Sequence, residues 1–178
     1  MDPLMNNSER DLLAKVIKDV PEFGTIVEWG SGGSTVFIAT HKPKGASLTS
    51  VEHYKEWYDK VKKEIIDIPF VEYCYAPPDD LSWQEFGTIK EENPEHLAYY
   101  INTPGDISNV DVFLVDGVAR TTILQRIARE AKDSALILLH DCEREDWYRE
   151  GTKLYDVVER ADRLVLLSPK VVGCHADS

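Results

Sequence analysis

Two spacings of apolar residues alternate along this chain. Leu12, Leu13, Val16, Ile17 and Val20 recur at helical spacing and predict a docking helix capped by Asn7-Ser8 and ended before Pro21. A β-rich tripeptide, Thr25 to Val27, runs into a glycine turn, after which Ser34-Thr35 open a short helix through Val36, Phe37, Ile38 and Ala39. The breaker His41-Lys-Pro-Lys-Gly45 stops that helix, and Leu48 to Val51 form a second strand ending in Glu52-His53. From Tyr54 to Ile65 the pattern is amphipathic: Tyr54, Trp57, Tyr58, Val61 and Ile65 share one face, while Lys55, Glu56, Lys60 and Lys63 lie off it. Phe70 to Tyr75 reads as a third strand closed by Pro77-Pro78.

Between Pro78 and Ser108 the chain is polar and irregular, broken by Pro94 and Pro104, with one helix predicted from Glu95 to Ile101. A connection that long carries function or covers a site. The alternation then resumes. Val112 to Val115 make a fourth strand ending in Asp116-Gly117, followed by a helix containing Ile123, Leu124, Ile127, Ala128 and Ala131. Ala135 to Leu139 make a fifth, wholly apolar strand ending in His140-Asp141, as suits a strand buried on both faces. A further helix is predicted from Thr152 to Ala161, then two strands, Leu164 to Leu167 and Val171 to Cys174, joined by a tight turn at Ser168-Pro-Lys170.

This alternation predicts an α/β fold: a doubly wound, mostly parallel, Rossmann-like sheet with a C-terminal antiparallel strand pair, in a single domain spanning 1–178. Ligands of such sheets sit beyond the carboxyl ends of the strands. That rule gathers Glu28 to Ser34, Glu52-His53, Ala76-Pro77, Asp116-Gly117 and His140-Asp141 onto one edge.

Charge narrows the partners. A formal net charge of −12, with no basic cluster interleaved with aromatics, repels phosphate backbones and argues against nucleic acid. Three cysteines, Cys74, Cys142 and Cys174, cannot all pair within the chain and show no metal-ligand spacing, which favours a reducing compartment. The N-terminus lacks a signal-peptide pattern and no apolar run reaches membrane-spanning length, so a cytoplasmic protein with no membrane partner is expected. Oligomeric state stays open.

The chemistry concentrates in Thr25-Ile-Val-Glu-Trp-Gly-Ser-Gly-Gly-Ser-Thr35. Glycines at 30, 32 and 33 let a ligand approach the main chain, and the following helix N-terminus attracts an anion. A dinucleotide fingerprint has no acid ahead of its first glycine and a small third residue, whereas here Glu28 precedes Gly30 and Thr35 takes the third place. A carboxylate there suits an ammonium or sulfonium and repels a pyrophosphate. Glu52 ends the second strand, where an acid accepts from both hydroxyls of a ribose.

With those residues in place, the chain resembles class I S-adenosylmethionine-dependent methyltransferases. Val27-Glu-Trp-Gly-Ser-Gly-Gly-Ser34 is similar to the family's first motif, Thr49-Ser-Val-Glu52 to its second, and Val112-Phe-Leu-Val-Asp-Gly117 to its fourth. The resemblance implies S-adenosyl-L-methionine as cofactor. Glu28, Gly30, Ser31, Gly32, Gly33 and Ser34 would hold its methionine portion, Glu52 its ribose with His53 alongside, and Ala76-Pro77 its adenine; Asp116 is placed beside the cofactor too.

Asp116-Gly-Val-Ala-Arg120 and Leu139-His-Asp-Cys-Glu-Arg144 look like segments of small O-methyltransferase-like proteins, including glucuronoxylan methyltransferase relatives. The implied activity is methyl transfer to a hydroxyl of a small molecule or sugar. His140, Asp141 and Asp116 are the catalytic candidates, with His140 or Asp141 expected as the base. Arg120 and Arg144 either bind a substrate carboxylate or fix Asp141 by a bidentate pair. Catechol-type relatives place metal-binding carboxylates where Asp116 and Asp141 stand, implying Mg²⁺ or Mn²⁺, but Cys142 replaces their asparagine and a hard cation does not choose a thiol.

Plainer readings accompany these. Asp116 caps a helix, His140 is a hydrogen-bonded structural histidine, the two arginines form surface ion pairs, and Trp83, Phe86, Tyr99 and Tyr100 pack the long connection onto the sheet rather than line a pocket. Two other functions compete with the methyltransferase: a nicotinamide (NAD)-dependent oxidoreductase, disfavoured by Glu28 and Thr35, and a non-catalytic interaction module that keeps the fold.

Overall fold

A computed structural model describes residues 1–79 and 94–170. Trp83, Phe86 and the segment Val171 to Cys174 lie outside those residues. Helix α1 spans Asn7–Lys18, and its N-cap is Asn6, not Asn7 or Ser8. The Asn6 side chain accepts from the Glu9 amide at 3.0 Å while Glu9 Oε2 accepts from the Asn6 amide at 2.7 Å, a reciprocal capping box that outcompetes the neighbouring caps. Strand β1 (Thr25–Trp29), helix α2 (Gly33–His41), strand β2 (Ser47–Glu52), helix α3 (Lys55–Ile65) and strand β3 (Val71–Tyr75) follow in order.

The predicted helix at 95–101 divides into a 3₁₀ turn over Pro94–Leu97 and a short helix α4, Ala98–Asn102. Strand β4 (Val112–Val115), helix α5 (Arg120–Glu130), strand β5 (Leu136–Leu139) and helix α6 (Glu145–Thr152) continue the alternation. The segment expected to be a helix from Thr152 to Ala161 is instead strand β6, Tyr155–Ala161, which turns at Asp162-Arg163 into strand β7, Leu164–Pro169. Antiparallel pairing of β6 with β7 overrides any helical preference there, Val157 and Val158 are β-branched, and the Tyr155 hydroxyl anchors the strand on the Leu124 carbonyl at 2.6 Å. The expected strand Leu164 to Leu167 is present within β7 but pairs with β6 before it. Ser168-Pro169 ends that strand instead of making a turn, and the expected partner Val171 to Cys174 lies outside the described residues.

The seven strands form one sheet in the order β3-β2-β1-β4-β5-β7-β6, parallel except for β7. Apolar side chains cover both faces. Ile26, Leu48, Leu114 and Leu138 pack under α1, α2 and α3, while Val27, Trp29, Phe113, Val115 and Ile137 pack against α4 and α5. The winding reverses between β1 and β4, the place where such sheets bind ligands, and the two tips stay joined there, the Asp116 amide donating to the Trp29 carbonyl at 2.9 Å. Among the described residues, no helix is long and apolar enough to cross a membrane.

One buried acid ties the first helix to the last hairpin. Glu9 is fully buried and accepts from the Arg163 amide at 3.0 Å as well as from Asn6. Glu9→Ala should cost about 1–3 kcal/mol, because it removes half of a cap and strands the Arg163 amide. Urea denaturation measures it, and a loss below about 0.5 kcal/mol, the level of an ordinary surface change, would show that the contact carries no stability.

Candidate functional site

The glycine turn sits on a buried carboxylate. Glu28 points beneath it with no exposed surface, its Oε1 accepting from the Ser34 hydroxyl and its Oε2 from Thr35 and Ser50, each at 2.6 Å. Burial pushes the carboxyl up to about 7, although all three hydroxyls pull it down. Thr35 also accepts from the Gly32 amide at 2.9 Å, which explains the threonine at that place: it links acid to turn. The sequence reading pointed Glu28 at the ligand. The structure uses both of its oxygens to hold the turn that a ligand would meet.

A second acid holds the turn from the side. Glu52 Oε2 accepts from the Ser31 amide at 3.0 Å and hydroxyl at 2.8 Å, and Oε1 from the His53 and Tyr54 amides at 2.9 and 2.7 Å. Burial alone would raise its pKa, but bonds from His53, Tyr54 and Ser31 outweigh that and lower it, so Glu52 stays ionised. Tyr73 and Trp57 complete the surround: the Tyr73 hydroxyl is 2.6 Å from Ser31 Oγ, and Trp57 Nε1 donates to the Ser31 carbonyl at 2.5 Å.

Three of the glycines are required by close approach. Gly30 has φ +89°, and a Cβ there would fall 2.3 Å from the Gly117 amide nitrogen. At Gly33 it would fall 2.1 Å from the Asp2 carbonyl oxygen, because the Asp2-Pro3 backbone lies on the start of α2. At Gly117 it would fall 2.0 Å from the hydroxyl of Tyr100. That tyrosine is fully buried, and its hydroxyl has no hydrogen-bond partner among the described residues. Ala76 is buried beside this edge and Pro77 half-buried.

At the tips of β4 and β5 the chain brings Asp116, His140 and Asp141 together, their donor atoms within 4.8 Å of one another. His140 is 5% exposed; Nδ1 lies 3.0 Å from Asp116 Oδ1, and Nε2 is buried, facing Glu9 Oε1 at 3.6 Å. Burial lowers its pKa, but Asp116, Asp141 and Glu9 together raise it. Asp141 adopts φ 52°, the left-handed region, at the strand end. Three guanidinium groups face its carboxylate: Arg120 at 3.5 Å, Arg144 at 3.5 Å and Arg163 at 3.4 Å.

Arg120 is buried. It donates to the carbonyls of Gly117, His140 and Asp116, stacks on Tyr148, and lies 3.4 Å from the Asp116 carboxylate. Such a residue joins the tips of β4 and β5 and has little surface to offer a substrate. Arg144 is the exposed one of the pair. Of the cluster's carboxylates Asp116 is the more open, with 24% of its side chain exposed against 16% for Asp141.

The same geometry tests the divalent-cation expectation. Asp116, His140 and Asp141 are suitable ligand types, but the Arg120 guanidinium already stands within 3.5 Å of both carboxylates, with further donors held by the backbone carbonyls of Gly117, His140 and Asp116. A Mg²⁺ or Mn²⁺ ion would have to share that space with a fixed cation, so the residues do not fit one.

Sequence reasoning missed Glu9, Arg163, Tyr73 and Trp57 as parts of this edge. Glu9 had a signal, the Asn6-x-x-Glu9 capping-box spacing, but nothing local places it against His140. Arg163 reaches the site through the β6–β7 turn, which had been read as a helix end.

Solved structures share this architecture. A methyltransferase-like protein from Silicibacter pomeroyi superposes with a TM-score of 0.74 at 21% identity, over 95% of this chain and 88% of its own. An RNA methyltransferase from Salinibacter ruber in complex with S-adenosyl-L-homocysteine gives 0.60 at 14%, over 99% and 100%. A SAM-dependent O-methyltransferase from Thermotoga maritima gives 0.63 at 13%, over 96% and 68%. No protein-family model and no curated protein matches the chain in sequence. The chain has the class I methyltransferase fold.

The buried Glu28 carboxyl makes stability pH-dependent. Its folded pKa, about 7, lies above the ordinary 4.5, so the folded chain keeps a proton that the unfolded chain releases. That contribution is full below about pH 4.5 and is lost as pH rises through 7, up to about 3 kcal/mol. Denaturation midpoints of wild type and Glu28→Gln should run together below about pH 4.5, separate between 4.5 and 7 as the wild type loses relative stability, and keep a constant gap above that. Parallel curves would overturn the assignment.

Proposed function

We propose that this chain is an S-adenosylmethionine-dependent methyltransferase acting on a hydroxyl oxygen of a small molecule or sugar. The observation that carries the reading is the suspended glycine turn: Gly30–Ser34 held between buried Glu28 and ionised Glu52 at the strand crossover. Two further features fit the cofactor, the glycine cradle at 30 and 117 and the orphaned Tyr100 hydroxyl beside it. The carboxylates Glu52 and Asp116 beside that cradle suit a ligand with a positively charged end and oppose a pyrophosphate, which favours this reading over a nicotinamide enzyme.

In this reading the backbone of Gly30–Ser34 meets the amino-acid end, with the α2 N-terminus available to its carboxylate. Glu52, buried with both oxygens spent on Ser31, His53 and Tyr54, does not take the ribose as its sequence position suggested but holds the turn against which the ribose packs, with His53 alongside. When bound, the cofactor supplies an electrophilic sulfonium methyl for in-line displacement. Asp116, the open member of the β4–β5 cluster, accepts the acceptor hydroxyl's proton. His140 stands behind it, bonding through Nδ1 and backed by Glu9, and acts as a positioning residue. Asp141, ringed by arginines, is the anchor of the cluster. Arg144, at the rim, contacts the acceptor, while Arg120 keeps the β4 and β5 tips joined.

S-adenosylhomocysteine should bind in calorimetry with submillimolar affinity; no heat at millimolar ligand would overturn the assignment. With labelled cofactor at saturating concentration and a panel of hydroxyl acceptors, Asp116→Asn should cut methyl transfer about 10²–10⁴-fold. Undiminished transfer would remove Asp116 from the role of base.

A further inference from the structure

Tyr100 comes from α4, in the connection whose aromatic residues sequence reading assigned to packing. Its backbone does pack: the Trp29 indole donates to the Tyr100 carbonyl at 3.2 Å, and the ring meets His53 edge-on, with centroids 5.4 Å apart. The hydroxyl is different. It sits against Gly117, just past the tip of β4 and beside Gly30, so close that a Cβ on Gly117 would lie 2.0 Å away. It is completely buried, and none of the described residues offers it a hydrogen bond. A buried hydroxyl without a partner costs the free energy of a lost water contact, and native chains rarely keep one unless something else fills the vacancy. A phenylalanine would pack the same ring without that cost.

The surroundings say what kind of partner fits. Burial is the larger cause holding the Tyr100 hydroxyl un-ionised; Glu52, Glu28 and Asp116 add to it, against the opposing pull of the Arg120 guanidinium. The hydroxyl therefore stays neutral near three acids and one arginine, and its oxygen is available to accept from a cation. His53, adjoining Glu52, meets the ring edge-on, and Gly117 adjoins the hydroxyl.

We propose that Tyr100 is a ligand-binding residue of the cofactor site, its hydroxyl oxygen accepting a hydrogen bond from the ammonium group at the amino-acid end of the bound adenosyl ligand. This rests on the reading of the site as one for S-adenosylmethionine. It adds a binding contact from outside the glycine turn and the strand-tip acids. It also gives the long β3–β4 connection a direct part in ligand affinity.

The test is Tyr100→Phe, which keeps the ring and removes only the oxygen. Calorimetry with two probes separates the outcomes: S-adenosylhomocysteine, which carries the ammonium, and methylthioadenosine, which lacks the amino-acid end. The variant should bind S-adenosylhomocysteine about tenfold more weakly and methylthioadenosine with unchanged affinity. Its ligand-free melting temperature should equal or exceed that of the wild type, because the orphaned hydroxyl is gone. Equal S-adenosylhomocysteine affinity in the two proteins would overturn the role of Tyr100 alone. A parallel loss for both probes would overturn the assigned contact to the ammonium, and a wild type that binds neither probe would overturn the cofactor reading itself and this inference with it. A lower ligand-free melting temperature would show that the hydroxyl has a structural partner, contrary to the proposal.

Discussion

The site depends on a carboxylate held out of water. Glu28 has no exposed surface, and the cost of burying it is offset by hydroxyls from Ser34 and Thr35 at the start of α2 and from Ser50 on β2. Those bonds fix where α2 begins relative to β1 and β2, and so fix the path of the glycine turn between them. Glu52 repeats the arrangement from the neighbouring strand, gripping Ser31 through both amide and hydroxyl. A turn made flexible by its glycines is thereby pinned from below and from the side, which leaves its backbone shaped in advance for a ligand.

The other half of the edge is built by charge alternation. Asp116, His140 and Glu9 form a line running from the more open carboxylate inward to a wholly buried one, while Arg120, Arg144 and Arg163 surround Asp141. Arg120 occupies the position between the carboxylates, and its bonds to three backbone carbonyls hold it there. The tips of β4 and β5 are thus joined by a fixed organic cation. Arg163 and Glu9 extend the network to the closing hairpin and the first helix, so elements distant in sequence support the same cluster.

Much of this was legible in the residues. The alternation of apolar periods predicted the order of strands and helices through β5, and the glycine turn with Glu28 and Glu52 predicted which sheet edge would carry the site. Orientation was less legible. Whether Glu28 faces up into the site or down onto Ser34, Thr35 and Ser50 depends on side chains from three elements, and no local pattern records it. The closing hairpin was misplaced because Tyr155–Ala161 mixes apolar and charged residues without a clean period of two, and only pairing with β7 makes it a strand. Tyr100 illustrates a further limit: its aromatic ring predicts packing correctly, whereas the missing partner of its hydroxyl emerges only when β4, α4 and the glycine turn are assembled.

The central claim is that the edge formed by the β1, β2 and β4 tips is the binding site for an adenosyl ligand with a cationic amino-acid end. Backbone amide NMR during titration with S-adenosylhomocysteine tests it most directly. The account predicts saturable shifts concentrated at Gly30–Ser34, Glu52–Tyr54 and Asp116–Gly117, with the β6–β7 pair unmoved. Shifts centred on β6 and β7, or none at saturating ligand, would contradict it.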